Sequence, residues 1–273
     1  MDIHRKKINE NIVLKTSLDV MHIKKACKIV EDLLISLGSI VKPGIKTIDI
    51  DKYAEDFIFK KKGISGLKGY MGFPGTVCIS VNNVAAHGIG NDYIIKDGDI
   101  ITVDATIGVD GWYGDGAWTY IAGEATSEKK RLVKAAWQAM LAGVAESLAG
   151  KKLGDVGSSI KKTALRHGCN VVEDLAGHGI GRKIHEDPVV LNFGKKGTGL
   201  PIVPGMVLTI EPIITLGSGK VRFHSDKWSI IIADNKLSAQ FECTLAVFRN
   251  QTDVLTLNSI NLQKYIDFPP MFQ

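Results

Sequence analysis

Residues 98–117 read GDIITVDATIGVDGWYGDGA. From Ile100 the run is strand-like, and aspartate followed by glycine at 110–111 is a turn signal, so the stretch is expected to fold as a β-hairpin. Two registers are open. With Val109-Asp110 as the two-residue loop, Asp104 and Asp115 stand directly opposite each other. With Asp110-Gly111, Asp104 faces Ala117 and Asp115 becomes its diagonal neighbour. Both registers place the two carboxylates on one face of the sheet, within reach of each other. Ile101, Val103, Ala105 and Ile107 occupy the other face. The acid face also carries Thr102 and Thr106. Two carboxylates side by side in an otherwise apolar strand repel and resist burial, and a cation between them removes that conflict.

The same pattern recurs downstream. Residues 205–211, GMVLTIE, repeat 98–104, GDIITVD, with glycine first, threonine fifth and an acid seventh. The tetrapeptide HGIG also occurs twice, at 87–90 and 178–181, each time ahead of one of these strands. Helical spacing surrounds both copies. Val20, Ile23, Cys27, Val30, Leu34, Leu37 and Val41 recur at three- and four-residue steps, which predicts a first helix capped by Ser17 and stopped by Pro43-Gly44. Further helices are expected over about 48–62, 127–149 and 155–167. A last strand pair is expected over about 227–248. Two matches in one order on one helix-helix-strand plan suggest duplicated halves, roughly 13–123 and 124–250. Such a chain would have pseudo-two-fold symmetry, with a site where the halves meet.

Two more acids belong to the pattern. Glu211 ends the apolar run 206–210. In SAQFECTLAV, Gln240, Glu242 and Thr244 point one way, and Phe241, Cys243 and Leu245 the other. Four carboxylates with an imidazole carry too much negative charge for one zinc ion and suit two divalent cations bridged by carboxylates and a water. His178 and His185, in GHGIGRKIHEDP, are seven residues apart. Gly177, Gly179 and Gly181 argue against a helix there. On one continuous strand an odd spacing would point the rings to opposite faces. HEDP is also no HExxH metal motif. The two histidines are therefore not expected to share one ion, and the glycines are expected to let the backbone pass close to the ions.

Composition is that of an ordinary soluble domain. The chain has 273 residues, 45% hydrophobic and 23% charged, enough to bury a substantial core. Nothing in MDIHRKKINE reads as a secretory signal, and no stretch is apolar enough to span a membrane. The net charge is +5, and the basic runs Arg5-Lys6-Lys7 and Lys60-Lys61-Lys62 read as solvated faces rather than a nucleic-acid surface. The four cysteines lie far apart with no CxxC pair and are expected as reduced, buried thiols.

The motifs CISVNNVAAHGIG, GDIITVDATIGVDGWYGDGA, GHGIGRKIHEDP, PGMVLTIEP and SAQFECTLAV, in this order and spacing, resemble those of the type 1 methionine aminopeptidases. The resemblance runs from about Lys15 to Phe248. It implies the pita-bread fold, an α+β architecture in which two pseudo-two-fold-related halves share antiparallel sheet covered by helices on one side, in a single catalytic domain. The tail over 251–273 falls outside the resemblance and is expected either to dock on the surface or to be disordered. It implies removal of the initiator methionine from nascent proteins and peptides with a small second residue, through a metal-bridging hydroxide attacking the first peptide carbonyl. Asp104, Asp115, His178, Glu211 and Glu242 match metal ligands, the metals being Co²⁺, Mn²⁺, Fe²⁺ or Zn²⁺. Glu211 also matches the group that takes and returns a proton. His185 matches a contact to the substrate carbonyl oxygen, and His87 a group near the scissile nitrogen. Leu67, Tyr70, Phe73, Cys78, Ile184 and Trp228 match the walls of the methionine pocket. Leu67, Phe73 and Ile184 stand where the bacterial pattern has cysteine, tyrosine and phenylalanine, and all three changes keep the wall apolar. Asn82, Val84 and Ser238 match backbone ligands of a monovalent cation, Na⁺ or K⁺.

The resemblance further implies a cytoplasmic monomer that meets nascent chains, in transient contact with the ribosome, and neither DNA nor membrane. A Xaa-Pro aminopeptidase or prolidase of the same fold would usually carry a separate N-terminal domain, for which this chain is too short. A non-enzymatic binding protein on the same scaffold would typically lose ligands, and here all five are present with both other histidines.

Overall fold

The computed structural model describes residues 11–260 and 262–272. The run Arg5-Lys6-Lys7 lies outside the described residues. Four helices, α1 (Ser17–Leu37), α2 (Thr47–Lys60), α3 (Ser127–Glu146) and α4 (Leu153–Arg166), cover antiparallel sheets. In chain order the strands of the first part are β1 (Ile64–Ser65), β2 (Cys78–Val81), β3 (Val84–Ala86), β4 (Ile100–Val109) and β5 (Trp112–Ile121). After α4 come β6 (Asn170–Val171), β7 (Ala176–Gly179), β8 (Glu186–Leu191), β9 (Val207–Ile210) and β10 (Ile213–Thr215). The remaining strands are β11 (Val221–Phe223), β12 (Ile230–Ile232), β13 (Ser238–Gln240), β14 (Cys243–Val247) and β15 (Thr252–Val254).

The expected hairpin is β4–β5. Val109 pairs with Trp112, so Asp110-Gly111 is the turn, and both residues have positive φ, 53° and 74°. That backbone suits the right-handed twist of the flanking strands. Asp104 therefore faces Ala117, Asp115 faces Thr106, and the carboxylates are diagonal neighbours on one face. The alternation in GDGA has a second purpose. A Cβ at Gly114 would lie 2.6 Å from the Cys27 nitrogen, and one at Gly116 would lie 3.1 Å from Val30 Cγ1. The glycines let α1 press on the back of the strand while Asp115 between them turns to the front.

Helix α1 buries the expected stripe of Val20, Ile23, Cys27, Val30, Leu34 and Leu37. Its cap differs from expectation. Thr16, not Ser17, is the N-cap: its hydroxyl accepts from the Asp19 N–H at 3.2 Å, and the Asp19 carboxylate accepts from the Thr16 N–H at 2.8 Å. This reciprocal box closes with aspartate three residues on, so the cap moves one residue upstream. The helix also stops at Leu37, short of Pro43-Gly44, and Val41 is buried beyond its end.

The strand pair expected over 227–248 is three strands, β12, β13 and β14, in three different sheets. β14 pairs with β9, with Cys243 opposite Ile210, which sets Glu242 and Glu211 one residue beyond the same end of that ladder. Glu242 donates its N–H to the Ala117 carbonyl at 3.0 Å, joining this ladder to the β4–β5 hairpin. The Thr244 hydroxyl lies beside the Asp115 backbone, donating to its carbonyl at 2.7 Å. Under the helices lies an aromatic cluster of Trp118, Trp137 and Phe241, with centroids 5.0–5.4 Å apart. Of the two outcomes expected for the segment after 251, docking holds: β15 extends the β14 sheet, and Leu255 and Leu257 are buried. All four cysteines are buried free thiols.

Candidate metal centre and active site

The acids converge in one cavity of about 1030 Å³, whose lining includes Asp104, Asp115, His178, Glu211 and Glu242. The hairpin register supplies Asp104 and Asp115. The β9–β14 ladder supplies Glu211 and Glu242. His178, on β7, brings its Nε2 to 3.4 Å from Glu211 Oε1 and 3.9 Å from Asp115 Oδ2. One ligand atom from each of Asp115, His178 and Glu242 lies within 4.8 Å of the others. Its Nδ1 lies 3.0 Å from the Gly179 carbonyl. That carbonyl can only accept, so Nδ1 carries the proton and the Nε2 lone pair is left facing the acids, as for a metal-ligating imidazole. Thr209, the fifth residue of the repeated strand motif, donates its hydroxyl to Glu211 Oε1 at 2.7 Å.

These acids resist ionisation as they stand. Burial pushes the carboxyls of Asp104, Glu211 and Glu242 well above their ordinary values, and the charges of neighbouring acids add to it. Burial raises Asp115 as well, opposed by a bond from Thr106. Asp115 Oδ1 and Glu242 Oε1 are buried with no hydrogen-bond partner. Buried carboxylate oxygens left unpaired are costly, and divalent cations are the partners this donor set fits.

The two histidines of GHGIGRKIHEDP do not lie on one strand. The chain turns between β7 and β8, so the opposite-face argument does not apply. The rings of His178 and His185 meet edge to face, with centroids 4.4 Å apart. His185 is in turn held by Tyr70, whose hydroxyl lies 3.1 Å from its Nδ1. His87 follows β3, with φ of 54°, and also lines the cavity. Burial, then the nearby His185, lowers its pKa and keeps the ring neutral. The glycines beside these histidines face strand backbone. A Cβ at Gly88 would lie 2.2 Å from the Ile79 carbonyl oxygen, at Gly179 2.3 Å from that of Asp187, and at Gly177 2.5 Å from that of Thr209.

Leu67, Tyr70, Phe73, Cys78 and Trp228 line the cavity, with Phe73 and Trp228 in an edge contact at 5.3 Å. Ile184 is set back from it: the side chain is buried, and its Cδ1 lies 3.2 Å from where a Cβ on Gly66 would stand. Asn82, Val84 and Ser238 lie together away from the cavity. The Ser238 hydroxyl is 3.2 Å from the Asn82 carbonyl and 3.1 Å from that of Val84.

Three features were not expected. Met71, 82% exposed, reaches the cavity mouth from a positive φ of 50°. Lys15 makes an almost fully buried ion pair with Glu186, the residue after His185, and Glu186 Oε1 also accepts from the Lys183 N–H at 3.1 Å. Thr209 is the only one with a visible mark in the sequence, its place in the repeated motif. Among the described residues no helix is long and apolar enough to cross a membrane.

The profile of metallopeptidase family M24 matches residues 21–247. A methionine aminopeptidase of Clostridium perfringens is 39% identical over 246 residues, covering 90% of this chain and 99% of the relative. That of Escherichia coli K12 is 36% identical over 248 residues, covering 90% and 94%. The crystal structure of methionine aminopeptidase from Rickettsia prowazekii superposes with a TM-score of 0.88 at 38% identity, over 90% of this chain and all of that one. A Pyrococcus furiosus prolidase matches at TM-score 0.70 and 18% identity over 65% of its own length, a likeness of fold alone.

Proposed function

The chain belongs to metallopeptidase family M24 and is an aminopeptidase of the methionine type with the pita-bread fold, and from that premise we propose which residues perform the reaction. Asp104, Asp115, His178, Glu211 and Glu242 hold two divalent cations (Co²⁺, Mn²⁺, Fe²⁺ or Zn²⁺). The observation that carries this is the convergence of ligand atoms of Asp115, His178 and Glu242, with one buried oxygen of each of the two carboxyls left without a partner. When bound, such cations polarise a carbonyl and lower the pKa of water. The protein's own groups do the rest. Glu211, braced by Thr209, takes a proton from the attacking water and returns it to the leaving amine. His185, braced by Tyr70, donates to the oxyanion that develops on the first peptide carbonyl. His87, neutral through burial, serves the scissile nitrogen. The apolar walls at Leu67, Phe73, Cys78 and Trp228 suit an unbranched thioether, with Ile184 supporting them from behind.

The reading extends to nascent chain N-termini with a small second residue, met in the cytoplasm by a monomer in transient contact with the ribosome. The carbonyls of Asn82 and Val84, converging beside Ser238, suit a monovalent cation, Na⁺ or K⁺. The helix pairs α1–α2, of 21 and 14 residues, and α3–α4, of 20 and 14, support duplicated halves over 13–123 and 124–250 within one catalytic domain, followed by 251–273.

Purified protein with Mn²⁺ tests the activity on Met-Gly-Met-Met and on proline-containing dipeptides. Release of methionine from the tetrapeptide is expected. Cleavage of the proline peptides without methionine release would refute the substrate assignment.

A further inference from the structure

The matched family region ends at Val247, yet the chain continues through a segment that crosses the helical side of the molecule. Ser259 donates from its N–H and hydroxyl to the buried Glu31 carboxylate of α1, at 2.8 and 2.9 Å. The segment then reaches α3. Trp137 Nε1 donates to the Tyr265 carbonyl at 2.5 Å, and Gln138 Nε2 to that of Ile266 at 3.1 Å. Pro269 and Pro270 are buried. Phe272 returns to α1: its ring lies 4.7 Å from Trp118, and its carbonyl oxygen stands 2.2 Å from where a Cβ on Gly38 would be. The segment thus fastens to α1 at both ends and to α3 between them.

Each helix backs one part of the metal centre. α1 packs on β4 and β5, which carry Asp104 and Asp115, and α3 packs on β9, β10 and β13, which flank Glu211 and Glu242. The aromatic cluster under the segment joins them directly. Trp118 is three residues after Asp115 on β5, and Phe241 immediately precedes Glu242. We propose that residues 259–260 and 262–272 are a latch that ties α1 to α3 and so sets the spacing between the hairpin carboxylates and the ligands of the other ladder. Its described residues are positioning residues, none of which lines the cavity. The inference rests on the metal centre proposed above.

Gly38 gives a discriminating test. Its backbone is helical, with φ −56° and ψ −35°, so alanine there would by itself favour the helix and raise Tm. With the latch docked, the methyl group collides with Phe272. The full chain is compared with Gly38→Ala, Phe272→Ala and Phe272→Leu by thermal unfolding without metal and by calorimetric titration with Mn²⁺. Gly38→Ala and Phe272→Ala are expected to lower Tm and to raise the Kd for Mn²⁺ by about three- to tenfold, the scale of couplings carried through packed side chains. Phe272→Leu, which keeps an apolar plug, is expected within about twofold of wild type. A rise in Tm for Gly38→Ala would show that the segment is not docked. A lower Tm with an unchanged Kd would reduce the segment to ordinary packing. Either result overturns the latch. Failure of the unaltered chain to bind Mn²⁺ would instead overturn the metal centre itself.

Discussion

Replacing Lys15 with methionine removes one charge from an ion pair that is almost wholly out of water. The side chains of Lys15 and Glu186 are 2% and 8% exposed. Breaking a buried pair by removing one partner costs about 3–5 kcal/mol, because the other charge is left without compensation. Glu186 keeps one bond, from the Lys183 N–H, so the lower end, about 3 kcal/mol, is expected. Tm in a domain of this size moves roughly 2–4 °C per kcal/mol, which gives a drop of roughly 6–12 °C. Urea unfolding of the metal-free protein reads the free energy directly. Removing both charges in Lys15→Met/Glu186→Gln should recover most of the loss, to within about 1 kcal/mol of wild type, since pairs replaced together are often neutral. Because Glu186 follows His185, Lys15→Met should also lower kcat with little change in KM. A single-variant cost below about 1 kcal/mol, or a double variant worse than either single, would refute the reasoning.

His178→Ala should raise the Kd for Mn²⁺ at least tenfold, while His185→Ala should leave metal binding near wild type and lower turnover, measured by titration and by methionine release; the reverse pattern would exchange their assigned roles. His87, whose ordinary pKa of 6.5 is lowered by burial and by His185, binds fewer protons folded than unfolded below that pH. Its contribution to stability is therefore present above pH 6.5 and lost as pH falls below it, so wild type should lose stability relative to His87→Gln between pH 7 and 5, measured by thermal unfolding.

The centre of this fold can be read from local pattern because its determinants are local. Asp110-Gly111 sets a turn, the turn sets the register, and the register sets Asp104 beside Asp115. Glu211 and Glu242 follow from alternation and from the repeat of GDIITVD in GMVLTIE. What escaped reading depends on contacts between distant segments. The closeness of His178 and His185 requires a turn that glycine spacing does not specify. The pairing of Lys15 with Glu186 leaves no pattern, as neither charge differs in sequence from a surface residue. Ile184 shares its wall by packing behind it, and the docking of Phe272 is signalled by nothing except a glycine at position 38. Thr16 displaced Ser17 as the cap because aspartate, shorter than the usual glutamate, closed the box.

The join between Glu242 and Ala117 also has a consequence in time. The four acids and one imidazole of the proposed centre are spread along the chain from Asp104 to Glu242, and Phe73 meets Trp228 across a similar distance. No fragment emerging during synthesis holds the complete set until β14 has been made and has paired. A partly made copy therefore has no competent centre with which to act on its neighbours or on itself, and activity arrives as a single event late in folding rather than growing with length.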